Sequence, residues 1–234
     1  MKKKLLAIII AITSLIVSSE KINVNAESNM NQEVTNIEKK IKQDNSNIIY
    51  YSNKTLYEGY FKTIKEELYK KAHKNSKTVT HRMIDLAFKS ADERINMNKV
   101  SIKEYFTLVA IHLAVMEVES NFNNDIVCYN TTTKDYGVMQ VNSSVIKYAK
   151  EGLNDYSLDV FDLHDNVEMG SWEIYECYSK AKRNHPDNVL WWFYAYYNRG
   201  LYFENYPWDY DETNTRSKIF INKFNKYFTI LYNE

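Results

Sequence analysis

The run Tyr105-Phe106-Thr107-Leu108-Val109-Ala110-Ile111-His112-Leu113-Ala114-Val115-Met116 constrains the fold more than any other part of the chain. It is apolar around most of a helical circumference, so it is stable only with other elements packed on nearly every side. Ser101, with Glu104 three residues on, forms a capping box that sets where this helix begins. The chain must therefore build its domain around a central helix. That helix ends at Glu119, in Glu119-Ser120-Asn121-Phe122. A carboxyl there sits away from water and beside the negative pole of the helix, and both conditions favour its protonated form.

The flanking patterns supply the helices that would cover it. Tyr57, Tyr60, Phe61, Ile64 and Leu68 recur at helical spacing, and Met83, Ile84, Ala87, Phe88 and Ile95 outline a second amphipathic helix. Further helices are expected over 165–183, with Asp165 and Glu168 as the capping pair, over 188–198, with Gly200 as the stop, and over 216–232. In the last of these, Phe220, Phe224, Tyr227, Phe228 and Leu231 make one apolar stripe suited to a core. Strand signals are confined to a small hairpin around 135–140. The fold class expected is mainly α.

The chain begins Lys2-Lys3-Lys4, continues as an uncharged apolar stretch over 5–17, and reaches small residues at Val24-Asn25-Ala26. A basic start, a short apolar centre and a small residue at the cleavage point are the parts of a secretory signal, so residues 1–26 are expected to be removed on export. The apolar centre falls short of the ~20 residues that span a bilayer. Residues 27–55 are polar and thin in apolar side chains, which suits a tether, leaving 56–100 as N-terminal helices and 101–234 as the catalytic core with its C-terminal helix. The formal net charge is 0, and with Lys2, Lys3, Lys4 and Lys21 set against Glu20 in the leader, the remainder carries about −3. Lys and Glu alternate along most segments, so no basic face for nucleic acid is expected. Cys128 and Cys177 would meet an oxidising compartment, where they either bridge or stay as buried thiols.

Three clusters carry the chemistry: Glu119 to Phe122, Asp135-Tyr136-Gly137-Val138-Met139-Gln140-Val141-Asn142, and Tyr196-Tyr197-Asn198-Arg199-Gly200. A glycosidic oxygen is a poor leaving group until it is protonated, and a carboxyl kept neutral beside a polar loop can protonate it. The Gln and Asn of the loop offer amide donors and acceptors to sugar hydroxyl and acetamido groups. Glu117 points to a different side of the helix and is read as a solvated or structural acid. The histidines His73, His81, His112, His164 and His185 have no metal-ligand spacing, and His112 on the apolar helix reads as a satisfied core residue. Of Trp191 and Trp192, at least one belongs to the core.

With Asn166-Val167-x-x-Gly170 at a helix start, the order Glu-Ser-x-Phe, Gly-x-Met-Gln, Asn-Val-x-x-Gly and Tyr-Asn-x-Gly resembles the soluble lytic transglycosylase domain of the lysozyme-like superfamily over residues 101–202. The resemblance implies a lysozyme-like helical domain with a groove for peptidoglycan glycan strands. It further implies that Glu119 first gives a proton to the oxygen between N-acetylmuramic acid and N-acetylglucosamine. Glu119 then takes one from the muramic C6 hydroxyl, closing a 1,6-anhydro ring. Ser120, Gln140, Asn142, Tyr197 and Asn198 would shape the sugar site, Tyr197 matching the family tyrosine near the acid. No cofactor and no metal is called for.

The chain departs from the pattern at Lys134-Asp135, where a Gly-Ala pair is usual, and at Arg199, where Ala is usual. Asp135-Tyr136-Gly137 also resembles c-type lysozyme, in which an Asp at that position is the second catalytic carboxylate. Asp135 is thus either a partner of Glu119 in a hydrolytic muramidase or a turn residue bonded to its own backbone. A reading from another class is a glycan-binding or scaffold protein without turnover. The expected setting is a monomer, secreted or attached to the cell wall of a bacterium, serving wall remodelling or a conjugation, secretion or phage machine.

Overall fold

The computed structural model describes residues 54–94, 102–201 and 210–232. The leader, nearly all of the tether, Ile95 and the Ser101 cap lie outside them. Among the described residues, seven α-helices and three short strands follow one another as α1 (Lys54–His73), α2 (His81–Arg94), α3 (Ile102–Ser120), β1 (Val127–Tyr129), β2 (Lys134–Tyr136), β3 (Val141–Asn142), α4 (Ser143–Leu153), α5 (Leu163–Asn184), α6 (Val189–Arg199) and α7 (Tyr210–Tyr232), with a 3-10 turn at Pro186–Asn188. Among these helices none is long and apolar enough to cross a membrane.

Helix α3 runs through the centre, as its composition requires. Val109, Ala110, Ile111, Leu113, Ala114, Val115 and Met116 are all fully buried. Helices α2, α5 and α7 pack on it, α6 closes against α5 and α7, and α4 leans on α5. His112 is a core residue: its Nδ1 lies 2.7 Å from Leu108 O and its Nε2 3.0 Å from Ser171 Oγ. Burial pushes its pKa down to about 4, which keeps the ring neutral. Trp191 is buried, whereas Trp192 is half-buried and stacks on the His185 ring at 3.7 Å.

Glu117 is structural and not solvated. Its Oε1 is 2.8 Å from Lys223 Nζ and its Oε2 2.6 Å from Lys226 Nζ, and the Tyr227 hydroxyl donates to Oε2 at 2.6 Å. This ties α3 to α7. Burial alone would raise the Glu117 pKa, but hydrogen bonds from Lys223, Lys226 and Tyr227 outweigh it and hold the carboxyl below its ordinary value. A group with a lowered folded pKa stabilises the fold above its unfolded pKa, and the contribution fades as pH falls through the folded value. Glu117→Gln is expected to cost about 2–3 kcal/mol at neutral pH, discounted for the partly exposed lysines. Denaturant melts should show that loss shrinking as pH drops below about 4.5.

The hairpin expected around 135–140 is present as β2 and β3, and β1 extends it to a three-stranded antiparallel sheet in the order β1-β2-β3. Cys128 pairs with Asp135, and Asp135 in turn with Asn142, so these three form one row across the strands. The two cysteines do not bridge: Cys128 is exposed and Cys177 buried, both as free thiols. Two caps differ from expectation. The Asp162 carboxylate, not that of Asp165, caps α5 by accepting from the His164 and Asp165 amides, and α4, which the sequence reading lacked, is capped by Asn142.

Candidate active site

Glu119 lies in the last turn of α3, where the chain is turned by two consecutive left-handed residues, Asn121 (φ 52°) and Phe122 (φ 60°). A phenylalanine seldom adopts that conformation, and the surroundings hold it there. The Phe122 ring is fully buried, its N–H donates to Met116 O at 3.0 Å, and Ser76 and Thr78 hydroxyls both donate to Asn121 O. The helix end that carries Glu119 is therefore locked from both sides.

The loop between β2 and β3 is held by α5. Asn166, fully buried, accepts from Met139 N–H at 2.9 Å and donates to Tyr136 O at 2.9 Å and Val160 O at 3.0 Å. Gly137 (φ 70°) is the residue that allows this approach, since a Cβ there would stand 2.4 Å from Asn166 Nδ2. One turn on, Gly170 lets α5 lie against Met139.

The Tyr194 hydroxyl on α6 donates to Glu119 Oε1 at 2.6 Å, its ring stacked on Phe220 of α7 at 4.7 Å. Burial pushes the Glu119 pKa up most. The Tyr194 hydrogen bond and the Arg216 charge pull it back, the Asp135 charge adds to the rise, and the net result lies above the ordinary value. Burial and the Glu119 charge also raise Tyr194 far above its usual range, so its hydroxyl stays a donor. A second acid, Glu173 on α5, lies within electrostatic reach of both Glu119 and Asp135.

Asp135 is a strand residue and not the self-bonded turn residue that was its alternative. Its Oδ1 accepts from Asn142 Nδ2 at 2.6 Å and its Oδ2 from Asn130 Nδ2 at 2.8 Å. The two amides fix its orientation. Other expected sugar contacts have internal partners. Ser120 is buried, with its hydroxyl shared between Met116 O and Val138 O. Asn142 uses both ends of its amide, on Asp135 and on the α4 cap. Gln140 Nε2 donates to Gly137 O at 2.8 Å, while its Oε1 has no hydrogen bond among the described residues. Asn198 is half-buried and its side chain has no hydrogen bond among the described residues. The Tyr197 hydroxyl donates to Met139 O at 2.7 Å and braces the loop, with Tyr197 within electrostatic reach of Glu119, and the tyrosine that hydrogen-bonds Glu119 is Tyr194, three residues earlier.

Sequence reasoning thus missed Tyr194, Arg216 and Glu173. A helical-face argument from Tyr197 back to position 194, or from Asn166 and Gly170 forward to position 173, would have found two of them. The assembled arrangement is a carboxyl held toward its neutral form on a helix end, with a second, oriented carboxylate, Asp135, within electrostatic reach.

Residues 97–220 match the family model of the transglycosylase SLT domain. The chain belongs to that family. No curated protein and no solved structure matches it. For an SLT-domain protein, a mainly helical lysozyme-like fold with a small sheet is the architecture found here, and family membership implies a glycan-cleaving transglycosylase directed at peptidoglycan.

Proposed function

We propose that this SLT-domain protein is an exported lytic transglycosylase that breaks the β-1,4 bond between N-acetylmuramic acid and N-acetylglucosamine and leaves a 1,6-anhydro end. The observation that carries this reading is the Glu119 carboxyl, raised in pKa by burial and held at Oε1 by the Tyr194 hydroxyl. Glu119 gives its proton to the bridging oxygen as the bond to the muramic C1 breaks, with the 2-acetamido group steadying the positive charge. The resulting carboxylate takes the proton of the muramic C6 hydroxyl, whose oxygen bonds to C1. One carboxyl serves as acid and then base, and no water is consumed.

A second reading, hydrolytic muramidase, draws on one observation: Asp135 is oriented by Asn130 and Asn142 and its charge acts on Glu119. Were Asp135 to attack or shield C1, water would complete the reaction and leave a reducing end. Chromatography and mass spectrometry of a peptidoglycan digest test both. Anhydro fragments, one water lighter than reducing ones, are expected from the parent and not from Glu119→Gln. Intact glycan strands after incubation with the parent would leave a binding or scaffold role.

The Tyr194 hydroxyl favours the ionised form of Glu119, so Tyr194→Phe should raise the Glu119 pKa further. The alkaline limb of the rate profile is then expected to move upward by roughly one pH unit, the worth of one hydrogen bond to a charged group. The rate at the optimum should fall several-fold as Glu119 loses its anchor. An unmoved limb would mean that Glu119 does not set it.

A further inference from the structure

Arg216 belongs to none of the motifs above, yet it lies where α7 grips the helix that carries Tyr194. At this level the two helices are clamped by three contacts. Asn214 Oδ1 accepts from Trp191 Nε1 at 3.3 Å, and the Ser217 hydroxyl donates to Trp191 O at 3.4 Å. The buried Phe220 ring lies flat on Tyr194, with 4.7 Å between centroids and 5° between planes. Arg216 stands one helical turn before Phe220 and so on the same side of α7. From there its exposed side chain hydrogen-bonds the Tyr194 hydroxyl, which in turn donates to Glu119 Oε1 at 2.6 Å. A chain of contacts thus runs from α7 through α6 to the acid on α3.

The chemistry of a guanidinium gives that chain a direction. It carries five N–H donors and no acceptor, so the Tyr194 hydroxyl meets it with a lone pair. The single hydroxyl proton is then left for Glu119, as the donation to Oε1 shows. With Oε1 engaged as an acceptor, the proton of a neutral Glu119 belongs on Oε2. We propose that Arg216 is a positioning residue that aims the Tyr194 hydroxyl at Glu119 Oε1 and so reserves Oε2 for the proton that reaches the glycosidic oxygen. Once that proton has left, the same hydroxyl steadies the Glu119 carboxylate until it is protonated again. The inference rests on the reading of Glu119 as the acid for what the proton does, and not for how Tyr194 is aimed.

Nuclear magnetic resonance of protein with glutamate carboxyls labelled in heavy carbon titrates Glu119 without turnover, its signal identified by its absence from Glu119→Gln. The titratable and charged groups within electrostatic reach of Glu119 are Tyr194 and Tyr197 of α6, Arg216 of α7, Asp135 of β2 and Glu173 of α5. Arg216→Gln supplies an acceptor that draws the hydroxyl proton away from Glu119. The Glu119 titration should then move upward by about one pH unit, the worth of one hydrogen bond to a charged group. Arg216→Lys, which again has donors and no acceptor, should stay within about 0.3 unit of the parent. In a Tyr194→Phe chain there is no hydroxyl to aim, and adding Arg216→Gln should move the titration by no more than about 0.3 unit, since the charge of an exposed guanidinium is screened. On peptidoglycan the alkaline limb should follow the same order, with the loss in kcat and not in KM. An unmoved Glu119 titration in Arg216→Gln, or an equal shift with and without the Tyr194 hydroxyl, overturns the proposal. A parent enzyme that leaves peptidoglycan uncut would sink the transglycosylase reading, and the carboxyl titration would still decide the role of Arg216.

Discussion

Glu119→Gln is expected to lower the rate of glycan cleavage about a thousandfold or more, the range assigned to a positioned general acid together with its return as a base. The substitution keeps the shape of the side chain. Its amide oxygen can still accept from the Tyr194 hydroxyl, so the contact between α3 and α6 survives. What is lost is the proton. Tyr194 cannot supply it, since burial holds its pKa far above the working range. A neutral amide also removes a carboxyl that burial disfavours when charged, so thermal stability should be unchanged or slightly higher. A rate loss accompanied by a large fall in melting temperature would point to misfolding, and a rate within a few-fold of the parent would remove Glu119 from the reaction.

The second large effect is on the fold itself. Asn166→Ala should cost about 3–5 kcal/mol, because it strands two buried backbone groups and one partly buried one, at about 1–3 kcal/mol for each one left unsatisfied and with partial relaxation. The groups are Met139 N–H, Tyr136 O and Val160 O. For a domain of this size, each kcal/mol is worth about 2–4 °C in Tm, so calorimetry should show a fall on the order of 10 °C. Activity should fall with it even at temperatures where the domain remains folded. Gly137 and Met139 lean on Asn166, and Asp135 and Gln140 flank them in the chain. A melting temperature within the range of a surface substitution would contradict the anchoring role.

The parts of the molecule legible in the sequence are those written by periodicity. The apolar circumference of 105–116 required a buried central helix, and the stripe of Phe220, Phe224, Tyr227 and Leu231 became the α7 face packed on it. Local alternatives were harder. Asp162 and Asp165 are both good caps, and only the path of the preceding loop selects Asp162, leaving an Asp165 oxygen to accept from Asp159 N–H. Strand β1 has three residues, too few for a pattern, and it is defined by its partner β2. The position of Glu119 was legible because a helix end is a local feature. Its neighbours were not, because Tyr194 and Glu173 reach it from helices whose packing only the folded chain determines. The same applies to Ser120 and Tyr197, which carry the expected residue types but point their hydroxyls at backbone carbonyls. The two cysteines, unpaired here, show why a count alone does not predict a bridge.

In the proposed reaction Glu119 regains its proton from the muramic C6 hydroxyl as the ring closes, and not from water. Digestion of purified peptidoglycan in water labelled with heavy oxygen, followed by mass spectrometry of the fragment ends, tests it most directly. Unlabelled 1,6-anhydro ends are the expected result; labelled reducing ends would rule out ring closure and give the reaction to Asp135 and water.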